Sequence, residues 1–345
     1  MYIIGIESSC DDTAVAIIDS KYNILSSNVV TNLEIHQKYG GVIPEIASRN
    51  HLNVIENLIK KTTQEAKLEL EEIDVFCATS GPGLIGGLVI GSTIAKSMAY
   101  CLNKPFIAVN HLHGHSLAPF LADNNLTFPY LNLLLSGGHS MITICDKEFS
   151  FELLGQTLDD SFGEAFDKVA KMLDLQYPGG PEIEKLAQNG DECFYKMPIP
   201  LRNSGKIAFS LSGIKTHIRI LINELKDKDQ LNQTTKQNIA ASMQFTLWKH
   251  LEEKLKLACQ EFNKKFIDSK NYNFVFTGGV AANKYIQKQI TNFFDNTNFS
   301  PVFLPKHLCS DNAAMIAIAG LFKYQKCNRS EFDFSPKARW PINET

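Results

Sequence analysis

Short apolar runs at the beginning of the chain predict a β-meander. Residues 2–7 and 13–18 are rich in β-branched side chains, and the polar turn from Ser8 to Asp12 joins them. A third run, residues 24–30, follows after another polar stretch. The sheet is predicted to start with these three strands.

A similar arrangement begins again near the middle of the sequence. Strand-like residues 130–135 lead to a Ser-Gly-Gly turn, and further strands are predicted at 141–145 and 149–154. Residues 2–30 have the same order of elements: a strand, a short turn and two further strands. We interpret this as an internal repeat at the level of architecture, in which similar sheets open two domains.

Helices are predicted where apolar residues recur at helical spacing. One follows Pro44, and an apolar one extends to about Leu102 after a strand at 75–79. A strand at 106–109 leads directly to His111. From residue 161 the chain is largely helical, with a strand at 274–277, a last helix after Asp311 and a polar loop predicted at 223–237.

Length and composition indicate an ordinary globular protein of two domains. The chain has 345 residues, of which 44% are hydrophobic and 21% charged. We expect an N-terminal domain over 1–128, with the helix at about 311–345 packing back onto it, and a second domain over 129–310. With no apolar stretch of about 18 residues and no leader-like start, we expect no membrane segment and a cytoplasmic location.

The eight cysteines contain no Cys-x-x-Cys pair, which argues against a zinc ribbon or a disulfide framework. The formal net charge of −3 bears on partners, because a protein that binds nucleic acid alone usually carries a basic excess. A nucleic-acid substrate would need a local basic face or a helper protein. The candidate basic positions are Lys206, Lys215, His217, Arg219 and the tail 337–340, and solvated surface charge is the alternative.

A pair of histidines is the first motif with possible chemistry. On a helix, His111 and His115 stand at i and i+4, which places two imidazoles on one face within reach of one metal ion. Gly114 is a poor helix residue, and His113 offers a competing pair at strand spacing. The alternative is a helix start with surface histidines.

A carboxylate far along the chain could complete a metal site. Asp311 precedes the last apolar helix, where capping that helix is its alternative role. As a third ligand it would give a two-histidine, one-carboxylate set with positions open for substrate.

Three glycine turns, at 136–138, 177–181 and 277–283, predict a nucleotide site. Each follows or opens a regular element, and glycine lets backbone N–H groups approach a ligand without a Cβ between them. No P-loop motif is present. Asp167, in the acidic segment 159–168, could receive a ribose hydroxyl or form an ordinary helix pair with Lys171.

Together these segments closely resemble the universal tRNA threonylcarbamoyladenosine biosynthesis family in its bacterial form. The matching segments run in order along almost the whole chain: 5–11 (GIESSCD), 39–45 (YGGVIPE), 79–84 (TSGPGL), His111 with His115, 135–139 (LSGGH), 163–168 (GEAFDK), 177–181 (YPGGP), 209–215 (FSLSGIK), 277–280 (TGGV) and 311–312 (DN). The combination is specific, although each piece alone is not.

The resemblance implies an α/β fold of the actin, Hsp70 and sugar-kinase class, with two ribonuclease-H-like domains and a central ligand cleft. It implies transfer of threonylcarbamoyl from threonylcarbamoyl-AMP to N6 of adenosine 37 in tRNAs that read codons beginning with A. The implied metal ligands are His111, His115 and Asp311. The implied adenylate contacts are Leu134, Leu135, Ser136, Gly137, Gly138, Asp167, Gly180 and Asn283.

Asp11 and Asp12, on the first turn, are our candidates for accepting the proton of the attacking amine. The family pattern has glutamate where Asp12 stands, so a role that needs the longer side chain is open here. The ligand set suits iron first, with zinc or manganese as alternatives. The implied partners are tRNA, a dimerising paralogue (TsaB-like), an ATPase (TsaE-like) and a separate enzyme that makes the adenylate.

Three rival functions are separable in principle. A kinase or ATPase of the same fold would use carboxylate-bound magnesium and no histidine pair. A metallopeptidase of the His-Glu-x-x-His type is disfavoured, because Leu112 follows His111 and cannot serve as a general base. A non-catalytic scaffold relative should lack the histidine pair and much of the nucleotide pocket, and this chain retains both.

Overall fold

The computed structural model describes residues 1–31, 41–123, 125–146, 149–266, 271–327 and 330–344. Tyr39 and Gly40 of the 39–45 segment lie outside this set. The chain divides into two compact units: Met1–Phe128 with Asp146–Phe151 and Pro305–Thr345, and Pro129–Cys145 with Glu152–Leu304. None of the helices in the described ranges is long and apolar enough to cross a membrane.

The first unit contains a mixed five-stranded sheet. Its elements are β1 (Tyr2–Glu7), β2 (Thr13–Asp19), β3 (Ile24–Val30), α1 (Pro44–Ala66), β4 (Val75–Gly81), α2 (Ile85–Cys101), β5 (Phe106–Asn110) and α3 (His111–Leu117). The strand order is β3-β2-β1-β4-β5. β1 pairs antiparallel with β2 and parallel with β4, which in turn pairs parallel with β5. Two antiparallel hairpin strands therefore extend a parallel half-sheet.

The second unit repeats this arrangement. It comprises β6 (Tyr130–Leu135), β7 (Ser140–Asp146), β8 (Ser150–Gln156), α4 (Phe162–Met172), α5 (Gly179–Ala187), α6 (Ser212–Asp227), α7 (Gln233–Lys265), β9 (Tyr272–Thr277), α8 (Lys284–Phe294) and β10 (Phe299–Phe303). The strand order is β10-β9-β6-β7-β8. It equals that of the first sheet read from β5 to β3, with β6, β7 and β8 in the places of β1, β2 and β3. β6 again pairs antiparallel with its successor and parallel with β9. The predicted repeat and the α/β fold class are confirmed.

The last helices return to the first unit. They are α9 (Lys306–Cys309) and α10 (Ala313–Cys327), and most of α10 is fully buried. At Gly5 in β1, an added Cβ would lie 2.3 Å from the carbonyl oxygen of Ala313. A glycine in β1 therefore lets the start of α10 pack directly on the sheet, so the residues before α10 lie close to β1.

The predicted loop at 223–237 is wrong. Helix α6 continues to Asp227 and α7 begins at Gln233, so the connection is only residues 228–232. The reason is that Ile214, Ile218 and Ile222 continue one buried face of α6, while the Asn232 side chain caps α7 by accepting a hydrogen bond from Thr235 N–H. Strand β10 and the short 3₁₀ turn Gly279–Ala282 before α8 were not predicted.

Candidate metal centre and nucleotide pocket

The histidine pair lies on a helix, as predicted. Helix α3 begins at His111 because the Asn110 side chain caps it, accepting a hydrogen bond from Leu112 N–H at 2.9 Å. The i, i+4 spacing brings the two rings to a centroid distance of 4.7 Å. Both side chains are buried, with 5% of His111 and 1% of His115 exposed. The alternative of surface histidines is therefore wrong.

Asp311 lies beside this pair. Its Oδ1 is 3.1 Å from His115 Nε2 and 3.7 Å from His111 Nε2. Capping of α10 falls to Asn312, whose Oδ1 accepts a hydrogen bond from Met315 N–H at 2.9 Å. The alternative role of Asp311 as the cap is thus filled by its neighbour, and the Asp311 carboxylate faces the imidazoles.

These three side chains could hold a metal ion, because one ligand atom from each lies within 4.8 Å of the others. Donors at about 2.1 Å from one ion stand roughly 3.0–3.4 Å apart in octahedral or tetrahedral geometry. The two separations from Asp311 Oδ1, 3.1 and 3.7 Å, need little adjustment to reach that range. The donor set fits a divalent transition metal.

A buried carboxylate, Glu7 at the end of β1, orients the first histidine. Glu7 is 1% exposed and its Oε2 lies 3.0 Å from His111 Nδ1. Ser9 N–H and the Thr79 hydroxyl also donate to Glu7, at 2.6 and 2.5 Å. Because an ionised carboxylate only accepts, His111 keeps a proton on Nδ1, so Nε2 is the ring nitrogen that a metal would bind in place of a second proton.

The charges of this cluster favour the ionised forms of both His111 and Glu7. Burial opposes ionisation of His111, but the negative charges of Glu7 and Asp311 outweigh it and raise the His111 pKa to about 9. Burial also acts to raise the pKa of Glu7, yet the charge and hydrogen bond of His111 hold that pKa below its ordinary value. The site is therefore strongly anionic in character and suited to a cation.

The two candidate proton acceptors follow β1 on the same turn. Burial, reinforced by the carboxylates of Asp11 and Asp311, raises the pKa of Asp12 to about 7. Asp12 Oδ1 is buried and has no hydrogen-bond partner among the described residues. A carboxyl group that titrates near neutrality can exchange a proton under physiological conditions.

His113, between the two candidate ligands, points elsewhere. Its Nε2 donates to the carbonyl oxygen of Ile342 at 2.6 Å, and its ring stacks on Phe151 at 4.1 Å. Burial, with the nearby charge of Lys323, lowers its pKa to about 3. A neutral, hydrogen-bonded His113 thus ties the C-terminal segment to α3 and takes no part in the histidine–aspartate cluster.

In the second unit, the predicted glycine turns converge at the carboxyl ends of two parallel strands. Leu134 in β6 pairs with Thr277 in β9, so the turns that follow leave the sheet side by side. At Gly278, whose φ is +88°, an added Cβ would lie 2.3 Å from the carbonyl oxygen of Leu135. Leu134 and Leu135 are themselves fully buried, so only their backbone could contact a ligand.

Helices α4 and α5 bring the other two segments to the same place. At Gly163 an added Cβ would meet Gly137 Cα at 2.7 Å. Asp167 accepts a hydrogen bond from Gly179 N–H at 2.7 Å, and burial raises its pKa. The predicted alternative partner of Asp167, Lys171, does not take this role.

At four glycines of these turns, neither close packing nor backbone conformation within the chain requires glycine. At Gly137, Gly138, Gly180 and Gly279 an added Cβ would meet nothing within 4 Å, and none of the four adopts a positive φ. Backbone exposed in this way leaves room for a ligand to approach its N–H groups. The Asn283 side-chain oxygen caps α8 by accepting a hydrogen bond from Ile286 N–H. Its amide group donates one of its two hydrogens to Gln244.

Comparison with known proteins identifies the family. The family model TsaD, described as tRNA N6-adenosine threonylcarbamoyltransferase, matches residues 23–318. A protein of that name from Rickettsia rickettsii (strain Sheila Smith) is 47% identical over 342 residues, 99% of this chain and 98% of the relative. One from Rickettsia bellii (strain OSU 85-389) is 48% identical and covers 99% of each chain. The chain belongs to the TsaD family of tRNA N6-adenosine threonylcarbamoyltransferases.

Solved structures agree with the fold class. HypF from T. kodakarensis matches with a TM-score of 0.58 at 15% identity, over 94% of this chain and 48% of that chain. The activator of the 2-hydroxyisocaproyl-CoA dehydratase from Clostridium difficile matches with a TM-score of 0.50 at 13% identity, over 95% and 97%. These similarities show that the chain shares the α/β fold of those proteins, and they show nothing about the reaction.

One residue of the metal centre escaped the sequence analysis. Glu7 ends a buried strand, and its link to His111 spans 104 positions in the sequence. A charged residue at the last position of an apolar run is ordinary at a strand end, so the pattern carried no signal of its burial. The family membership confirms the enzyme class, while the roles of the individual site residues stay predictions.

Proposed function

We propose that this protein transfers the threonylcarbamoyl group from threonylcarbamoyl-AMP to N6 of adenosine 37 in tRNAs that read codons beginning with A, and releases AMP. The observation that carries the proposal is the buried cluster of His111, His115 and Asp311 oriented by Glu7. In a chain of the TsaD family, this cluster distinguishes a complete enzyme from a scaffold relative that lacks metal ligands.

The reaction balances with the groups available. N6 of the adenosine attacks the carbamoyl carbon, a C–N bond forms, and the bond from that carbon to the phosphate oxygen of AMP breaks. AMP leaves with the electron pair, and N6 loses one proton. Asp12, with its pKa near 7, is the proposed acceptor; burial raises that pKa, and the charge of Asp11 on the same turn adds to the effect.

A metal bound by His111, His115 and Asp311 would act as a Lewis acid toward the oxygens of the carbamoyl phosphate anhydride. We propose iron as that metal, with zinc and manganese as alternatives, because two imidazoles and one carboxylate suit all three. Glu7 keeps His111 in the tautomer that can bind it.

The proposed adenylate site is the group of turns in the second unit. Backbone N–H groups at Gly137 and Gly138 would approach the phosphate, next to Ser136, whose own N–H donates to the carbonyl oxygen of His139. The open space at Gly180 supports close contact with the nucleoside. Asp167 would receive a ribose hydroxyl, and Leu134, Leu135 and Asn283 complete the proposed set. Positioning of this kind supplies much of the rate enhancement in group transfer.

The proposed partners are a TsaB-like paralogue, a TsaE-like ATPase and the enzyme that makes the adenylate, all in the cytoplasm. One observation supports an apolar protein partner: Ile85 and Val89, one turn apart on α2, are 52% and 45% exposed, and Leu52 of α1 is 63% exposed. Gly87 of α2 packs closely on His51 of α1, so the two helices that carry these exposed side chains are neighbours.

The test combines purified protein, its helper proteins, threonylcarbamoyl-AMP and an unmodified tRNA transcript, followed by nucleoside mass spectrometry. We expect threonylcarbamoyladenosine with the wild type and none with the His111→Ala variant, and AMP in equal amount to the modified nucleoside. No modified adenosine under conditions where a Rickettsia relative works would contradict the proposal. If magnesium alone supports turnover and His111→Ala is silent, a kinase-like activity is favoured instead.

A further inference from the structure

One segment of the second unit carries lysines and arginines but no acidic residue. Residues 193–223 contain five of the 34 lysines and arginines and none of the 37 aspartates and glutamates. The rest of the sequence is therefore considerably more acidic than the net charge of −3 suggests. An approaching polyanion meets no like charge from the side chains of this segment.

The N-terminal part of this segment, which we call the basic loop, comprises residues 193–206. It belongs to a connection between α5 and α6 that contains neither a helix nor a named strand from residue 188 to residue 211. Connections longer than about 12–15 residues without regular structure are uncommon in compact domains and are usually functional. The length of the loop is thus a first sign of a role beyond linking two helices.

Specific hydrogen bonds fix the basic loop along helix α7. Tyr195 N–H donates to Ser242 Oγ at 3.1 Å, and Asn203 N–H donates to Glu253 at 2.8 Å. Lys254, whose side chain is fully buried, donates to the carbonyl oxygen of Leu201 at 2.8 Å. The anchors at 242 and 254 are about 18 Å apart along the helix axis, so the loop is attached to α7 at points three turns apart.

The cations of the loop point into solvent and are not neutralised. Lys196, Arg202 and Lys206 are exposed, and among the described residues none of them has an acidic partner within 4 Å. Acidic residues on α7 and just before the loop have partners of their own: Glu253 contacts Asn203 and Lys254, Glu252 contacts Lys249 and Lys256, and Glu192 accepts from the Tyr285 hydroxyl. The loop therefore presents three free positive charges on an ordered backbone.

An exposed aromatic ring and a further cation accompany them. Phe194 is 58% exposed and contacts Tyr195 edge to face at 4.9 Å. Arg219, on α6 of the same segment, is exposed as well. Cations that contact phosphates, together with an aromatic ring on which an unpaired base can stack, are the features of an RNA-binding surface. A purely electrostatic membrane contact would not need the ring.

We propose that the basic loop, with Lys196, Arg202 and Lys206, binds the phosphate backbone of the tRNA substrate. This inference rests on the proposed function for the identity of the RNA. The residues it assigns are different from the proposed metal ligands and from the glycine turns. Lys215, by contrast, forms an ion pair with Asp160 and has a structural role.

The test compares two triple variants of the full chain with the same change in net charge. The loop variant is Lys196→Gln, Arg202→Gln, Lys206→Gln. The control is Lys21→Gln, Lys67→Gln, Lys288→Gln, at exposed positions outside the segment. Binding of an unmodified tRNA transcript is measured by fluorescence anisotropy at several salt concentrations, and the KM for tRNA is measured in the transfer assay with helper proteins.

Each phosphate contact contributes about 0.7–0.9 to the slope of log K against log salt, so we expect the loop variant to lower that slope by about 2–3. The KM for tRNA should rise at least roughly tenfold, with kcat and the KM for threonylcarbamoyl-AMP unchanged. Equal behaviour of the two variants, whether both weak or both like wild type, would overturn the proposal. If the wild type binds tRNA through the loop yet forms no modified adenosine, the surface stands and the proposed function fails.

Discussion

Replacement of Glu7 by glutamine tests whether this carboxylate prepares His111 for a metal. The substitution keeps the size of the side chain and removes its charge. In the structure, Glu7 Oε1 accepts from Ser9 N–H, while Oε2 accepts from the Thr79 hydroxyl and from His111 Nδ1. An amide has only one oxygen, so it cannot satisfy all three donors in either orientation.

Both orientations of the glutamine have a cost. With its NH₂ toward Ser9, two donors face each other in a fully buried site. With its NH₂ toward His111, the imidazole must carry its proton on Nε2, and the lone pair needed by a metal is lost. Loss of an outer partner of a metal-bound histidine typically lowers metal affinity by about 10–100-fold, or roughly 1.4–2.7 kcal/mol. Because Glu7 is almost fully buried, we expect the upper half of that range.

The assay is a competition titration of metal-free protein with Zn²⁺ and a chromophoric chelator, which requires no enzymatic activity. Thr79→Val is the matched control, because it removes a donor to Glu7 and leaves the contact with His111 intact. We expect its metal affinity to stay within about threefold of wild type, well below the effect of the lost outer partner. Thermal unfolding of all three metal-free proteins shows whether the fold is retained. A Glu7→Gln protein that is folded and binds Zn²⁺ as tightly as the Thr79→Val protein would show that Glu7 does not prepare His111 for a metal.

Three further predictions concern the same two sites. His113→Ala should lose about 2–4 kcal/mol of stability in urea unfolding, since it removes a buried ring and its hydrogen bond to Ile342. The variant should still bind one metal per chain, and loss of the metal would contradict a purely structural role of His113. Asp12→Asn should stabilise the metal-free protein, because a carboxyl whose folded pKa is raised to about 7 loses stability as pH rises from about 4 to 7. We expect this gain to grow by about 2 kcal/mol between pH 5 and pH 8 and then to level off, and a gain that shrinks with pH would be the wrong sign. Gly180→Ala, where a Cβ has open space, should leave the melting temperature unchanged and raise the KM for threonylcarbamoyl-AMP. Gly179→Ala, whose Cβ would lie 2.5 Å from Ala170, should destabilise the protein. A normal KM for Gly180→Ala would argue against its place in the pocket.

Sequence periodicity was sufficient for most of the secondary structure. The central strands of both sheets are largely apolar runs with polar or glycine turns between them, a pattern that depends on neighbouring residues only. The error at 223–237 arose because polar residues cover the exposed faces of α6 and α7, while the buried face of α6 is marked by widely spaced isoleucines. Helix ends that are exposed on most sides resemble loops in composition.

The candidate metal centre shows the limit of such reasoning. Local spacing predicted the histidine pair, and the resemblance supplied Asp311, but Glu7 and the role of His113 depend on contacts between segments more than 100 residues apart. Burial of a charged residue is decided by what packs around it. A single sequence contains no local sign of that packing.

Gly114 is unfavourable for a helix by its sequence, yet the structure requires a glycine at this position of α3. As a poor helix former it counted against a helix that carries His111 and His115. In the structure, an added Cβ at Gly114 would lie 2.9 Å from Ile316 and 3.1 Å from Met315, both on the first turns of α10. The missing side chain lets α10 pack closely on α3, and Asp311 immediately precedes α10. The cost in helix propensity, about 1 kcal/mol, is therefore offset by the approach that brings the carboxylate within 3.1 Å of His115.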